Sequence, residues 1–331
     1  MQPVEWVESP TITDLAPVAE MLNRWYAHVI PGEPPTPVEE LEALVNRPPS
    51  HHTSWVAVAT GAGRVLGAVR LVVEELEGRQ KDANIDFLVV EPEAQRRGLG
   101  SALLEAAVER ARRAGRKRLS GGSVAGDPAG KAFARRHRAE PELLEQQNRA
   151  VIAEMDAGLL REWIDRAAGR AEGYSLLRVD GPCPEELLAD FARLNAVMNT
   201  APSGPNLEDL ILSPGDVIET QRAFAALGYM RWTVIARHDP TGELAGFTEM
   251  MLSPFRPWLA FQWDTGVDPS HRNLGLGRWM KAANALRLIE ERPQVEQIET
   301  WNAGSNAPML SINRAMGFTT VAEWQLWESA I

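Results

Sequence analysis

Residues Gln95 to Gly100 read QRRGLG, and residues Arg272 to Gly277, about half the chain further on, read RNLGLG. Each hexapeptide follows a β-rich run that ends in valine, an acid and proline: DFLVVEP before the first, WDTGVDP before the second. The flanks repeat as well. Upstream, SWVAVATGAGRVLGAVRLVV and RWTVIARHDPTGELAGFTEMML both read as β-hairpins that begin near a Trp and carry a glycine in the second strand, Gly67 and Gly246. Downstream, Leu104, Ala107, Val108 and Ala111 form an i, i+3, i+4, i+7 stripe that Gly115 ends. In the second copy Trp279, Ala282, Ala283, Leu286 and Ile289 form the helical stripe, before Pro293. A further strand and short helix follow each, opened by Asp127-Pro128 and by SNAP from Ser305. Each half also starts with a strand and a helix, in VEWVESPTITDLAPVAEMLNRW and in YSLLRVDGPCPEELLADFARLNAVM. The reading is an α/β chain of two tandem domains, 1–172 and 173–331, joined within REWIDRAAGRAEGY.

A chain of 331 residues is long enough for two such cores. Its formal net charge of −11 speaks against nucleic acid, whose binding needs a basic footprint. One basic run lies between Arg96 and Arg118, beside the first glycine turn, and suits a small anionic ligand. No apolar run reaches the eighteen or so residues of a membrane span. The opening MQPVEWVESP lacks the basic-then-apolar order of a secretory leader. A single cysteine, Cys183 between two prolines, excludes an internal disulfide, and the six histidines show no metal spacing. These features predict a cytoplasmic protein without metal or membrane partner, acting as a monomer or homodimer.

Strand, glycine turn and helix make an anion site, because a helix start offers unpaired N–H groups and glycine lets the backbone approach. A P-loop needs Gly-Lys followed by Ser or Thr, and neither copy has that lysine. A dinucleotide fingerprint needs an acid ending the next strand, and KRLSGGSV after the first helix has none. The pattern Arg/Gln-x-x-Gly-x-Gly after a strand ending in Val-x-Pro resembles instead the coenzyme A turn of the GNAT family of N-acetyltransferases. Its recurrence, with the terminal Met316-Gly317-Phe318, extends the resemblance over almost the whole chain. The second half, through Thr300, Asn302, Asn306, Met309, Asn313 and Gly317-Phe318, resembles tandem members of actinobacterial type.

The resemblance implies two GNAT domains, each a mixed, mostly antiparallel twisted sheet flanked by helices, that use acetyl-CoA without metal. It places the pyrophosphate on the backbone of Gln95, Arg96, Arg97, Gly98, Leu99, Gly100 and Ser101, or of Arg272, Asn273, Leu274, Gly275, Leu276, Gly277 and Arg278. The pantetheine arm would follow Leu88, Val89 and Val90, or Thr265, Gly266 and Val267. A strand N–H would polarise the thioester, and the amine attacks directly once a base has taken its proton. The candidate catalytic residues are Asp86 in the first half and Glu249, Asp264 and Asn313 in the second. The tyrosine that often serves the family as acid is replaced by Ala134 in the first half and by Asn313 in the second. Asn302 and Asn306 are candidates for the cofactor, and Met198 and Asn199 for the acceptor loop. The expected activity is acetyl transfer to the primary amine of a small molecule, with catalysis in the second domain. A non-catalytic coenzyme A-binding or regulatory protein, and a mycothiol-synthase-like enzyme, are the alternatives.

Overall fold

The computed structural model describes residues 4–7, 9–49 and 51–331; Glu8, in the stretch read as an opening strand and helix, lies outside them. Along the chain run β1 (Val4–Val7), α1 (Ile12–Val29), α2 (Val38–Asn46), β2 (His52–Gly61), β3 (Arg64–Glu74), β4 (Asp82–Val90), α3 (Leu99–Arg113), β5 (Arg118–Val124) and α4 (Pro128–Arg136). There follow β6 (Glu140–Val151), α5 (Ala157–Arg170), β7 (Tyr174–Asp180), α6 (Glu185–Asn195), α7 (Pro214–Ala226), β8 (Met230–His238), β9 (Leu244–Leu252) and β10 (Leu259–Val267). The last elements are α8 (Leu276–Glu291), β11 (Gln297–Ala303), α9 (Ala307–Ala315) and β12 (Thr319–Ala330).

The chain forms two compact units. One comprises Met1–Leu144, Gly204–Glu208 and Ala322–Ile331, the other Glu145–Ser203 and Asp209–Val321. The chain therefore leaves the first unit within β6 and returns within β12, rather than changing once at residue 172. Residue 172 lies inside the second unit because α5 is no linker. Its Leu160 is buried in the core around α8, with Trp163 and Ile164 packed against it.

In the first unit the strand order is β1-β2-β3-β4-β5-β12. α3 covers one face through Leu99, Leu103, Ala107 and Ala111 against Ala57, Ala59, Val69 and Leu71. α1 and α2 cover the other against Val56, Ala68 and Val89. In the second unit the order is β6-β11-β10-β9-β8-β7, with α8 and α5 on one face and α6 and α7 on the other. Both units exchange their closing strand. Trp324 of β12 stands opposite Val124 of β5, and Trp327 donates from Nε1 to Ser123 Oγ at 2.9 Å. In the second unit Gln147 to Val151 of β6 run antiparallel to β11, locked by the buried Arg149–Glu299 ion pair at 2.5 Å.

The parallel contacts that open the binding groove are short. β4 pairs with β5 only over Asp82–Ile85, and β10 with β11 only over Leu259–Phe261, after which the strands part. A register shift interrupts the antiparallel partner at the same place in both units, at Arg70/Leu71 and at Gln262/Thr265. Gly67 and Gly246 are equivalent, opposite Val90 and Val267. A Cβ at Gly246 would lie 2.8 Å from Gly266 O and 3.1 Å from Met280 Cε, and one at Gly67 3.0 Å from Leu103 Cδ1. Glycine here lets the helix after the turn seat on the sheet. The helical faces differ from the sequence stripes in detail. Leu103 is buried where Leu104 was expected, and α8, covered also by α5, buries Met280, Lys281, Asn284 and Leu288 besides its alanines.

Candidate active site

The two hexapeptides adopt one conformation. Arg96 and Gly98 have φ of 60° and 85°, Asn273 and Gly275 φ of 68° and 83°, and each glycine caps the helix that follows. The left-handed region costs a non-glycine residue about 1 kcal/mol or more, so holding Arg96 and Asn273 there twice marks a built turn. Its first residue fastens it: Gln95 Nε2 donates to Val90 O at 3.0 Å, and Arg272 Nε to Val267 O at 3.0 Å. The first helical hydrogen bonds come from Ala102 and Trp279, which leaves the preceding N–H groups of each first turn without intrahelical partners. Nothing lies within 4 Å of a Cβ built on Gly98 or Gly275, so the space in front of both turns is open. These turns fit a pyrophosphate in both units.

In the first unit a cleft of about 850 Å³ runs from this turn through the gap between β4 and β5 to α1. Of the sequence candidates Leu88, Val89, Val90, Gln95, Arg96, Gly98, Gly100 and Ser101 line it; Arg97 and Leu99 do not. Asp86 also faces the cleft, but its Oδ2 is held by Arg70 Nη1 at 2.9 Å. Arg70 is 8% exposed and also donates to Ser54 Oγ and Leu44 O, both at 2.9 Å. That guanidinium, fixed by three hydrogen bonds, keeps Asp86 as its counter-ion. On α4, Phe133 and Ala134 line the cleft, and His137 Nε2 lies 3.0 Å from Ser101 Oγ.

In the second unit the register position of Arg70 holds Glu249, which is 3% exposed. Its Oε1 accepts from Arg231 Nη1 at 2.6 Å and from Thr233 Oγ1 at 3.3 Å. Asp264 sits at the register shift of β10 and is exposed to solvent, although protein atoms crowd around its carboxyl. Desolvation first, and the Glu249 carboxylate second, push its pKa up to about 6 against a partial offset by Arg231. Beside it Trp263 is 37% exposed, stacked edge-on with Phe224 at 5.3 Å and capped by the Arg231 guanidinium at 5.2 Å. The two carboxylates thus differ: Glu249 is buried and held by Arg231, and Asp264 is exposed, with its carboxyl pushed up. Burial and Glu249 push the Cys183 thiol up to about 11, which makes it a poor nucleophile.

Residues 16–137, within the first unit, match the acetyltransferase (GNAT) family. Over the whole chain, a tandem GNAT protein from the clavulanic acid biosynthesis pathway superposes with a TM-score of 0.78 at 24% identity, covering 99% of this chain and 98% of that one. Residues 16–137 are thus similar to the GNAT family, and the whole chain has the tandem GNAT fold. A GCN5-related N-acetyltransferase from Sphaerobacter thermophilus aligns with TM-score 0.69 at 14% identity over 100% and 97% of the two chains. A putative acetyltransferase from Pyrococcus horikoshii aligns with TM-score 0.58 at 13% identity over 100% and 90%. No match is found among curated proteins.

The remaining sequence candidates of this tandem GNAT fold divide by their partners. Asn313 is 1% exposed and donates from Nδ2 to Asn302 Oδ1 at 2.7 Å, so α9 and the end of β11 bring these two together. Asn313 Oδ1 is buried without a partner. Asn306 caps α9, accepting from Met309 N at 3.3 Å. Asn199 clamps a loop, exchanging 2.9 Å bonds in both directions with the Leu210 backbone. Met198 and Val197 lie over Gly266, where a built Cβ would be 3.2 Å from Met198 Sδ and 2.3 Å from Val197 Cγ1. Thr265 shares a 2.7 Å hydrogen bond with Thr248. Sequence reasoning passed over Arg70 and Arg231, the partners that decide what each carboxylate does. Each is a lone cation in an apolar strand, GAVRLVV and YMRWTVI, and that was the available signal. Among the described residues no helix is long and apolar enough to cross a membrane, and no group of three or more His, Cys, Asp or Glu could hold a metal ion.

Proposed function

We propose that this protein is an acetyl-CoA-dependent N-acetyltransferase acting on the primary amine of a small molecule, and that the second unit performs the transfer. What supports this reading is the placement of Asp264, at the register shift of β10 just past its last pairing with β11, where desolvation and the Glu249 charge push its carboxyl up to about 6. An alkylammonium of ordinary pKa is about a thousandfold protonated at neutral pH and cannot attack a thioester. Asp264, ionised above its own pKa, accepts that proton directly or through water and holds the cation beforehand. The freed amine then attacks the acetyl carbonyl. The C–N bond forms, a strand N–H between Thr265 and Val267 stabilises the oxyanion, the C–S bond breaks, and the second proton leaves the nitrogen to water. The departing thiolate takes its proton from water, since Asn313 stands where the family often has tyrosine.

The first unit, in this reading, binds coenzyme A without efficient transfer, because Asp86 is occupied by Arg70 and Ala134 offers no acid. The acidic surface, with a net charge of −11, favours a cationic acceptor. The test is acetyl-CoA-dependent thiol release over a panel of primary amines. At least one amine should give turnover that Asp264→Asn reduces by roughly 10²–10⁴ without abolishing acetyl-CoA binding. Turnover unaffected by that substitution would move the base elsewhere.

A further inference from the structure

The cleft of the first unit ends, on the α1 side of the sheet, in a wall that the transfer chemistry does not use. Trp25 and Tyr26 of α1, with ring centroids 4.9 Å apart, meet Trp324 of β12 edge-on and tilted at 6.1 and 6.3 Å. Leu22 and Phe87 complete this end of the cleft. Asp86, which also faces the cleft, is already the counter-ion of Arg70. The aromatic surface offers dispersion contacts and apolar burial.

The second unit is built differently at the same register. α6 stops at Asn195, and the following turn lays Val197 and Met198 directly on Gly266, closing the space over the strand. In the first unit α1 runs on to Val29, the corresponding strand position is Val89, and the cleft stays open beneath Trp25 and Tyr26. Resting on the reading of this cleft as a coenzyme A site, we propose that the first unit binds coenzyme A thioesters of medium-length apolar acyl groups. Trp25, Tyr26 and Trp324 form the wall against which the acyl chain lies. The second unit, closed by Val197 and Met198, takes the short acetyl group.

Calorimetric titration of the full chain with CoA and with acetyl-, butyryl-, hexanoyl- and octanoyl-CoA tests this. Each methylene buried against the wall should tighten one class of site roughly fourfold, until the wall is covered. Trp25→Ala and Trp324→Ala should flatten the series while CoA itself binds as before, and Trp263→Ala in the second unit should leave it unchanged. Should Trp324→Ala fail to fold, Leu22→Trp, which fills the same space, is expected to exclude octanoyl-CoA and keep CoA. A flat or falling series in the wild-type protein with CoA bound overturns this inference alone, as does a rise that survives both the Trp25 and Leu22 substitutions. Absence of binding by every thioester and by CoA overturns it together with the acetyl-CoA reading on which it rests.

Discussion

Replacing Glu249 with Gln keeps the side chain's shape and removes the negative charge that helps raise Asp264. Two causes push the Asp264 carboxyl from about 3.8 to about 6: desolvation, which is the larger, and the Glu249 charge, partly offset by Arg231. In Glu249→Gln the desolvation remains, the like charge is gone, and Arg231 faces Asp264 uncompensated. The acid limb of the rate–pH profile should therefore move from near pH 6 to lower pH, by roughly half to one unit. The same change breaks a buried ion pair at 2.6 Å and should destabilise the fold by about 3–5 kcal/mol, so the assay must run well below the variant's melting temperature. Asp264→Asn, in contrast, should remove the limb itself along with most of the rate. In stability, the sign is opposite to that of an ordinary paired carboxylate. The folded state holds a proton on Asp264 more tightly than the unfolded chain, so stability falls as pH rises from about 4 to about 6, and Asp264→Asn should erase that fall. An acid limb that stays in place in Glu249→Gln, or that persists in Asp264→Asn, would refute the assignment of proton transfer to Asp264.

Three further outcomes follow from the same geometry. Substituting leucine at Gly275, where φ is 83°, should abolish transfer, whereas leucine at Gly98, where φ is 85°, should remove coenzyme A binding in the first unit and spare much of the turnover. The reverse pattern would move catalysis to the first unit. Lys281 is 1% exposed and burial alone pushes its pKa down to about 7, so its charged form weakens the fold below pH 7 and stability should rise with pH from about 7 to about 10. Lys281→Met should raise the melting temperature at pH 7, by as much as about 5 kcal/mol in stability, and flatten that rise. A fragment of residues 1–172 lacks Ala322–Ile331, which supply Trp324 and Trp327 to the first unit; circular dichroism should show it without cooperative unfolding and calorimetry without CoA affinity.

The repeat was legible because it is local. A valine-acid-proline strand end, a Gln or Arg that reaches back to the strand carbonyl, and a glycine at positive φ lie within a dozen residues, so pattern and conformation coincide at both Gln95–Gly100 and Arg272–Gly277. The glycines Gly67 and Gly246 were visible for the same reason, although their purpose, seating α3 and α8, appears only in the packing. What the sequence did not reveal was non-local. Glu249 and Asp264 look alike in apolar strands, and only the folded arrangement shows that Arg231 pairs with Glu249 while Asp264 stands exposed at the register shift. The exchange of β6 and β12 depends on which strand ends meet, through Arg149 with Glu299 and Trp327 with Ser123, pairs more than 140 residues apart in sequence. The REWIDRAAGRAEGY segment read as a linker because it is charged and carries two glycines, yet Trp163 and Ile164, with Leu160 just before it, pack α5 against the core around α8. Trp25, Tyr26 and Trp324 could not be joined into one wall before that exchange was known.

The central claim is that two open glycine turns hold a coenzyme A thioester, and titration of the purified protein with acetyl-CoA tests it most directly. The account predicts at least one site of micromolar or tighter affinity, about −8 kcal/mol, accompanied by a thermal shift. Neither heat nor a change in melting temperature at millimolar acetyl-CoA would contradict it.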